Sequence, residues 1–270
     1  MIISAFSYSF FVRAFLAVVL VCPLLSILGT MIVQRKMSFF SDALGHSAFT
    51  GIAIGVILGV SDVSIVMIMF AVLFAIVLNF LSRKNAQQMD SVISVVSSCC
   101  IAVGLAILSF GGNFSKYSSL LVGDILSITK SELITVGMLF VVLLVYWALC
   151  VNGLAAVSLH RSLAKSRGIN AEFIELGFSV IVAIIVMMCV RWIGVLLINA
   201  LLILPAAASR NIASNLREYH LFALIFSLLS GILGLLVSYF VGIAAGPSIV
   251  IYASVIYFAT FIFGRSGLAK

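Results

Sequence analysis

Apolar runs of about twenty residues follow one another along the whole chain, each closed by a short polar or basic stretch. That is the length an α-helix needs to cross the hydrocarbon core of a bilayer. Nine runs qualify, at about 11–33, 43–60, 62–81, 91–110, 131–151, 173–190, 193–209, 219–241 and 247–264. None alternates polar and apolar residues as the strands of a membrane barrel do, so an all-α, polytopic membrane helix bundle is predicted. Arg191 and Trp192 mark a very short outer turn between the sixth and seventh runs. If that pair marks a mid-membrane break instead, the spans number eight. Two polar connections are longer. Residues 153–172 form a cytoplasmic loop in which Leu163, Ala164 and the neighbouring bases suit a short surface helix ended by Gly168. Residues 111–130 contain Leu120-Leu121-Val122-Gly123-Asp124-Ile125-Leu126, too short to span and read as re-entrant or interfacial.

Composition sharpens this picture. Of 270 residues 64% are hydrophobic and 9% charged, where a soluble domain carries about a quarter charged residues. A mean hydropathy of +1.35 leaves too little polar surface for a soluble globule, and residues 1–270 read as a single transmembrane domain. The formal net charge of +7 does not point to nucleic acid, because the bases fall in clusters between apolar runs and not along one helix face. They record topology instead. With the N-terminus outside, Arg35, Lys36, Arg83, Lys84, Arg161, Lys165, Arg167, Arg210, Arg217, Arg265 and Lys270 lie on the cytoplasmic side. Only Arg13, Lys116, Lys130 and Arg191 then lie outside, so nine spans place the C-terminus in the cytoplasm. The first apolar run, Ala14 to Val33, is too long for a cleaved signal and reads as a retained span. Cys22, Cys99, Cys100, Cys150 and Cys189 all lie in apolar runs without C-x-x-C spacing and read as small hydrophobes.

Charges at membrane depth are expensive, about 2.5–3.5 kcal/mol each on insertion, and so need a reason. Asp42 and His46, at the start of the second run, are four residues apart, which puts both side chains on one helix face about 6 Å from each other. A carboxylate and an imidazole at that spacing can hold one divalent transition-metal ion together. Gly51, Gly55 and Gly59 repeat at four-residue intervals well around the helix from the pair, a ridge that lets a neighbouring helix approach closely. Spacing alone leaves a second reading open, with Asp42 serving the helix N-terminus at headgroup level and His46 partly solvated. Asp62 and Asp90 fall at span ends, and Glu172 and Glu175 open the sixth run, where negative charge suits a helix N-terminus. His160 and His220 flank cytoplasmic loops, and Asp124 is an ambiguous further metal candidate. Pro23 and Pro205 lie inside spans and kink them or free backbone carbonyls.

Four segments, taken in order, resemble the permease subunits of bacterial ATP-binding-cassette importers for zinc, manganese and iron, the ZnuB-like family. They are Arg35-Lys36-Met37-Ser38-Phe39-Phe40-Ser41-Asp42-Ala43-Leu44-Gly45-His46-Ser47-Ala48, Leu121 to Thr129, Trp192 to Arg210, and Ala245-Gly246-Pro247-Ser248-Ile249-Val250. The resemblance implies a type II importer-like fold, a bacterial inner-membrane location, and a metal-pathway role for Asp42 and His46 as the D-x-x-x-H motif. It implies a homodimer, a separate cytoplasmic ATP-binding subunit and an extracytoplasmic metal-binding protein. Residues 160–170 are similar to the loop that docks on the ATPase, with Leu163, Ala164, Arg167 and Gly168 as its contacts. The metal is cargo, with zinc favoured over manganese or iron, and no tightly bound cofactor is expected. Departures from the family pattern, at Gly45, at Ser91-Val92-Ile93-Ser94 and at Ser98, leave the identity of the metal open.

Other functions fit less well. The chain has no G-x-x-x-x-G-K-[ST] phosphate loop, so nucleotide hydrolysis belongs to another subunit. An intramembrane metalloenzyme normally uses three protein ligands, and no H-E-x-x-H or third clustered ligand is present in the sequence. The remaining alternative is an ion-coupled secondary transporter of a metal or other small cation, which also places carboxylates and broken helices at mid-membrane.

Overall fold

The computed structural model describes residues 7–60, 63–84, 89–110, 123–159, 164 and 166–264. Among them, nine helices are long and apolar enough to cross a membrane. They are α1 Ser9–Gln34, α2 Ser38–Ile57, α3 Val63–Lys84, α4 Met89–Phe110, α5 Lys130–Leu159, α6 Ala171–Ile193, α7 Val195–Ile212, α8 Leu216–Val241 and α9 Ala245–Phe263. A short 3-10 turn, Ile125–Ser127, precedes α5. The described residues contain no strand.

Local chemistry sets the helix limits. At the start of α5 the Thr129 hydroxyl accepts from the Glu132 N–H at 3.3 Å, and the Glu132 carboxylate accepts from the Thr129 N–H at 2.9 Å. Two orphan amides are thereby satisfied reciprocally. Helix α2 stops where Gly59 takes φ 64, with the Gly59 and Val60 amides donating to the Val56 and Gly55 carbonyls at 3.2 Å each. A single residue, Gly194 at φ 84, separates α6 from α7. Helix α6 thus runs through Arg191 and Trp192, and the break expected at that pair falls instead at the glycine, whose positive φ favours a residue without a Cβ. Helix α5 continues to Leu159, so residues 153–159 of the expected cytoplasmic loop are its final turns. Pro23 and Pro205 lie within α1 and α7 as expected.

The helices pack as two compact units. One comprises α1, the 3-10 turn, the first part of α5, and α7 to α9. Helix α1 is its buried axis, with Phe11, Leu25, Leu28 and Ile32 fully shielded. Gly29 lets the α7 backbone at Leu202 come into direct contact with it. Polar side chains in this unit join helix to helix. Ser227 donates to the Cys22 carbonyl at 3.0 Å, Tyr219 to the Thr30 carbonyl at 3.1 Å, and Ser209 to the Tyr219 carbonyl at 2.6 Å. The described end of the short outer piece is a tight turn anchored here. Gly123, at φ 67, lies against the Ile193–Gly194 peptide, and Ile125 and Ile128 are buried.

The second unit comprises α2, α3, α4, the rest of α5, and α6 as far as Arg191. Helix α2 is held between α3 and α4. On one side a methyl group at Gly51 would lie 3.3 Å from the Met67 Cα, and one at Gly55 would lie 3.0 Å from the Val63 Cγ1. These two glycines form the expected ridge toward α3, whereas Gly59 lies beyond the helix end. On the other side Gly104 of α4 abuts the backbone of Phe49 and Thr50, and the Thr50 hydroxyl donates to the Cys100 carbonyl. Stripes of apolar residues remain on the outside, such as Ile65, Met69, Leu73, Ile76 and Phe80 on α3 and Ile134, Met138, Val141, Val145 and Leu149 on α5. In hydrocarbon such stripes need no protein partner.

Candidate metal centre

Helix α2 begins at Ser38, with Met37 at the N-cap and no side-chain cap. Asp42 therefore stands in the second turn, which corrects the reading of it as a residue at the helix start. The helix tolerates its polar beginning because hydroxyls bond back to its own carbonyls. Ser41 donates to the Ser38 carbonyl and Ser47 to the Leu44 carbonyl, both at 2.9 Å. Asp42 and His46 then project from one face, and His46 Nε2 lies 3.4 Å from Asp42 Oδ1. Both side chains are partly open, His46 at 36% and Asp42 at 49% exposure.

That distance has a chemical meaning. A metal with nitrogen and oxygen ligands at about 2.1 Å would see a 3.4 Å gap as an angle of about 108°. This is close to the tetrahedral value, and a slightly larger ion at about 2.2 Å would see about 101°, within reach of octahedral geometry. The separation is one that a single divalent ion can bridge, and it is also that of a direct His–Asp contact. Two ligands from one chain are too few to close a coordination sphere, which suits an ion that must leave again.

The pair opens into a cavity of about 160 Å³ between α2 and α4. Phe39, Asp42, Ala43 and His46 line it from α2, and Ile93, Ser94, Ser97, Ser98 and Ile101 from α4. Its volume admits an ion with several waters, given about 30 Å³ per water in the liquid. The two helices run in the same direction, since Asp42 and His46 face 94–98 while Thr50 meets Cys100 and Gly104. Sequence reasoning noted Ser94 and Ser98 only as departures from the family pattern and passed over Ser97. Their 94, 97, 98 spacing, one helical face of hydroxyls in an otherwise apolar run, was the available signal. No cluster of three or more His, Cys, Asp or Glu occurs among the described residues.

The other candidates occupy different places. Asp124 caps the 3-10 turn, its Oδ1 accepting from the Leu126 N–H at 3.0 Å, so its carboxylate has a local structural task. Of the loop residues, Leu163 lies outside the described residues. Ala164 is 1% exposed and packs with Val157, Ala171 and Ile169, so its side chain faces the protein and not outward. Arg167 and Gly168 are exposed. Gly168 takes φ 75, and the Ile169 N–H returns to the Ala164 carbonyl at 3.0 Å, the glycine C-cap that the sequence suggests.

Sequence reading assigned Arg35 to topology and Glu175 to a helix start. The structure joins them. Arg35 Nη2 lies 3.3 Å from Glu175 Oε1, with side-chain exposures of 9% and 18%. The guanidinium carbon also sits 5.4 Å from the centre of the Phe178 ring.

The described residues thus form a bundle of membrane-length apolar helices that shows an acid–imidazole pair to a cavity between two of them. Comparison with known proteins places it further. The model of the ABC 3 transport family matches residues 7–264. The high-affinity zinc uptake system membrane protein ZnuB of Haemophilus influenzae is 31% identical over 242 residues, 89% of this chain and 92% of its own. The manganese transport system membrane protein MntC of Listeria monocytogenes is 26% identical over 262 residues, 97% and 93% of the two chains. The structure of PsaBC from Streptococcus pneumoniae in complex with Fab matches with a TM-score of 0.85 and 25% identity, over 98% of this chain and 97% of that one. The chain belongs to the ABC 3 transport family, as the ordered sequence resemblance implied.

Proposed function

We propose that this chain is the membrane-spanning permease of an ATP-driven importer of divalent transition metal, with zinc as its cargo ahead of manganese or iron. The observation that carries the reading is the Asp42–His46 pair, 3.4 Å apart and open to the α2–α4 cavity. The 31% identity to the zinc-named relative supports zinc. Ser94, Ser97 and Ser98, with water, complete the ion's shell by weak oxygen contacts. Asp124, which caps the 3-10 turn, is not needed for this reading.

In this reading two copies of the chain form the permease, in a bacterial inner membrane, with the C-terminus in the cytoplasm. A separate ATP-binding subunit docks on residues 160–170, touching Arg167 and Gly168, while Ala164 anchors the loop from within. An extracytoplasmic metal-binding protein delivers the ion. ATP binding moves the loop and opens the path around Asp42 and His46 alternately to each side, and the weak site releases its ion.

The test is reconstitution of the permease with its ATPase and binding protein in vesicles, followed by uptake of zinc, manganese and iron measured separately. Zinc uptake that needs ATP is the expected result, together with its loss in Asp42→Ala and His46→Ala complexes that still assemble. Manganese-only uptake would reassign the cargo. Uptake that survives an inactive ATPase but collapses with the ion gradient would turn the chain into a secondary transporter.

A further inference from the structure

The strongest unexplained feature is the shielded Arg35–Glu175–Phe178 contact. Shielded ion pairs are not favoured for stability alone, because removing two charges from water offsets most of their attraction. Their position in the chain therefore becomes informative. Arg35 lies three residues before α2, the helix that carries Asp42 and His46. Glu175 lies in the second turn of α6, directly after the loop that ends at Asn170.

The loop is itself tied to the start of α6. Ala164, Ile169 and Ala171 pack together with Val157 of α5. The Ile174 N–H donates to the Asn170 carbonyl at 3.2 Å and the Phe173 N–H to the Asn170 side chain at 3.2 Å. A displacement of residues 164–169 must carry the first turns of α6 with it. Glu175 and Phe178, one turn apart on that helix, hold Arg35 by charge and by the face of a ring. Arg35 in turn leads into α2 through a tight link in which Lys36 takes φ 56.

We infer that Arg35, Glu175 and Phe178 are positioning residues that transmit movement of the ATPase-docking loop to the helix bearing the metal ligands. The inference rests on the importer reading and specifies its mechanics. Motion passes from the loop to α6 through apolar packing, and from α6 to α2 through one ion pair and one ring. The pair is charged on both sides and shielded, so it resists sliding as apolar contacts do not.

The experiment uses the full complex in vesicles and records metal uptake and ATP hydrolysis together, as ions moved per ATP. Arg35→Gln and Glu175→Gln are each expected to lower that ratio by about tenfold, the size of effect that interior coupling contacts produce, while hydrolysis stays within about twofold of normal. The double variant is expected to be no worse than either single one, the signature of a pair acting as a unit. Phe178→Leu, which keeps the charges, is expected to lower the ratio by about threefold. If Arg35→Gln does not assemble, Arg35→Lys is read on the same scale, and an unchanged ratio with lysine and with Phe178→Leu overturns the inference. Uptake and hydrolysis falling in proportion, or additive losses in the double variant, also overturn it. A wild-type complex that hydrolyses ATP without moving metal would instead defeat the importer reading itself.

Discussion

Helices α1 and α2 are buried to the same degree, 72% over their central windows, yet the mean hydropathy of those windows is 2.6 in one and 1.2 in the other. Helix α1 reaches that burial mostly with apolar side chains, Phe11, Leu24, Leu25, Leu28 and Ile32 among them. Helix α2 reaches it with Ser41, Ser47, Thr50, Gly51 and Gly55 as well as Leu44, Phe49 and Ile52. The first is a largely apolar scaffold, tied to its neighbours at Cys22, Gly29 and Thr30. The second is polar where hydrocarbon forbids polarity, and each polar group on it has one of three uses. Asp42 and His46 face a cavity, Ser41 and Ser47 bond back to their own helix, and Thr50 with the glycines fixes the neighbours α3 and α4. In the proposed function, the low hydropathy of this packed helix marks the ion path.

Substitutions can break this contrast in graded fashion. The largest effect is expected at the ligands. Asp42→Ala and His46→Ala should each lower metal uptake by more than the roughly 10- to 100-fold that supporting partners of a metal site account for. The double variant should add little, because either loss already leaves one ligand. Equal changes in α1, such as Leu25→Ala, should cut yield and stability without changing which metal is carried. An ion preference that shifts with Leu25→Ala would erase the distinction between the two helices.

Next comes the α2–α4 contact. Gly104→Val pushes a side chain into the Thr50 backbone, where even a methyl carbon would lie 2.7 Å from the amide nitrogen. It is expected to destabilise by about 1–3 kcal/mol, read as earlier thermal unfolding in detergent, and to reduce uptake by spreading the two cavity walls. Gly59→Ala tests backbone geometry alone, because no atom lies within 4 Å of the added methyl and φ is 64. A loss of about 1–2 kcal/mol with unchanged cargo preference is expected there. A loss far larger than this would mean that the α2 end has contacts beyond its own cap.

Thr50→Val keeps the shape and removes the hydroxyl that reaches the Cys100 carbonyl. About 0.6 kcal/mol is expected, as for other hydrogen bonds between membrane helices, and unfolding midpoints of matched samples would register it. The smallest effect belongs to the outer stripe of α5. Val141 is 59% exposed, and Val141→Leu should change stability by less than about 0.5 kcal/mol. A marked defect there would reveal a protein partner on a face that otherwise needs only lipid.

Much of this architecture could be read directly along the chain. Runs such as 11–33 and 219–241 announced α1 and α8 to within a few residues, because twenty consecutive apolar side chains leave few alternatives in water or lipid. The Asp42–His46 pair was equally legible, since four residues on a helix is a local relation. Boundaries governed by hydrogen bonds were harder. Helix α2 starts five residues before the apolar count suggests, and the Ser41 hydroxyl there is satisfied by the Ser38 carbonyl of the same helix. The helix break near Arg191 was displaced to Gly194 because φ, not polarity, decides where the helix can be interrupted. Thr129-Lys130-Ser131-Glu132 was a capping box in plain view and went unread, hidden between more hydrophobic neighbours.

By itself, then, the order of residues determined a helical membrane protein, its spans and one acid–imidazole face. Hydropathy and helical periodicity act over a few turns, so no distant residue can veto them. Packing alone decided that α4 supplies the second wall of the cavity, that Ala164 turns inward, and that Arg35 meets Glu175. Those relations join residues far apart in the chain through close approaches at Gly104, Val157 and Phe178. Which helix faces which neighbour depends on the summed fit of many small contacts, and no single stretch of sequence contains that sum.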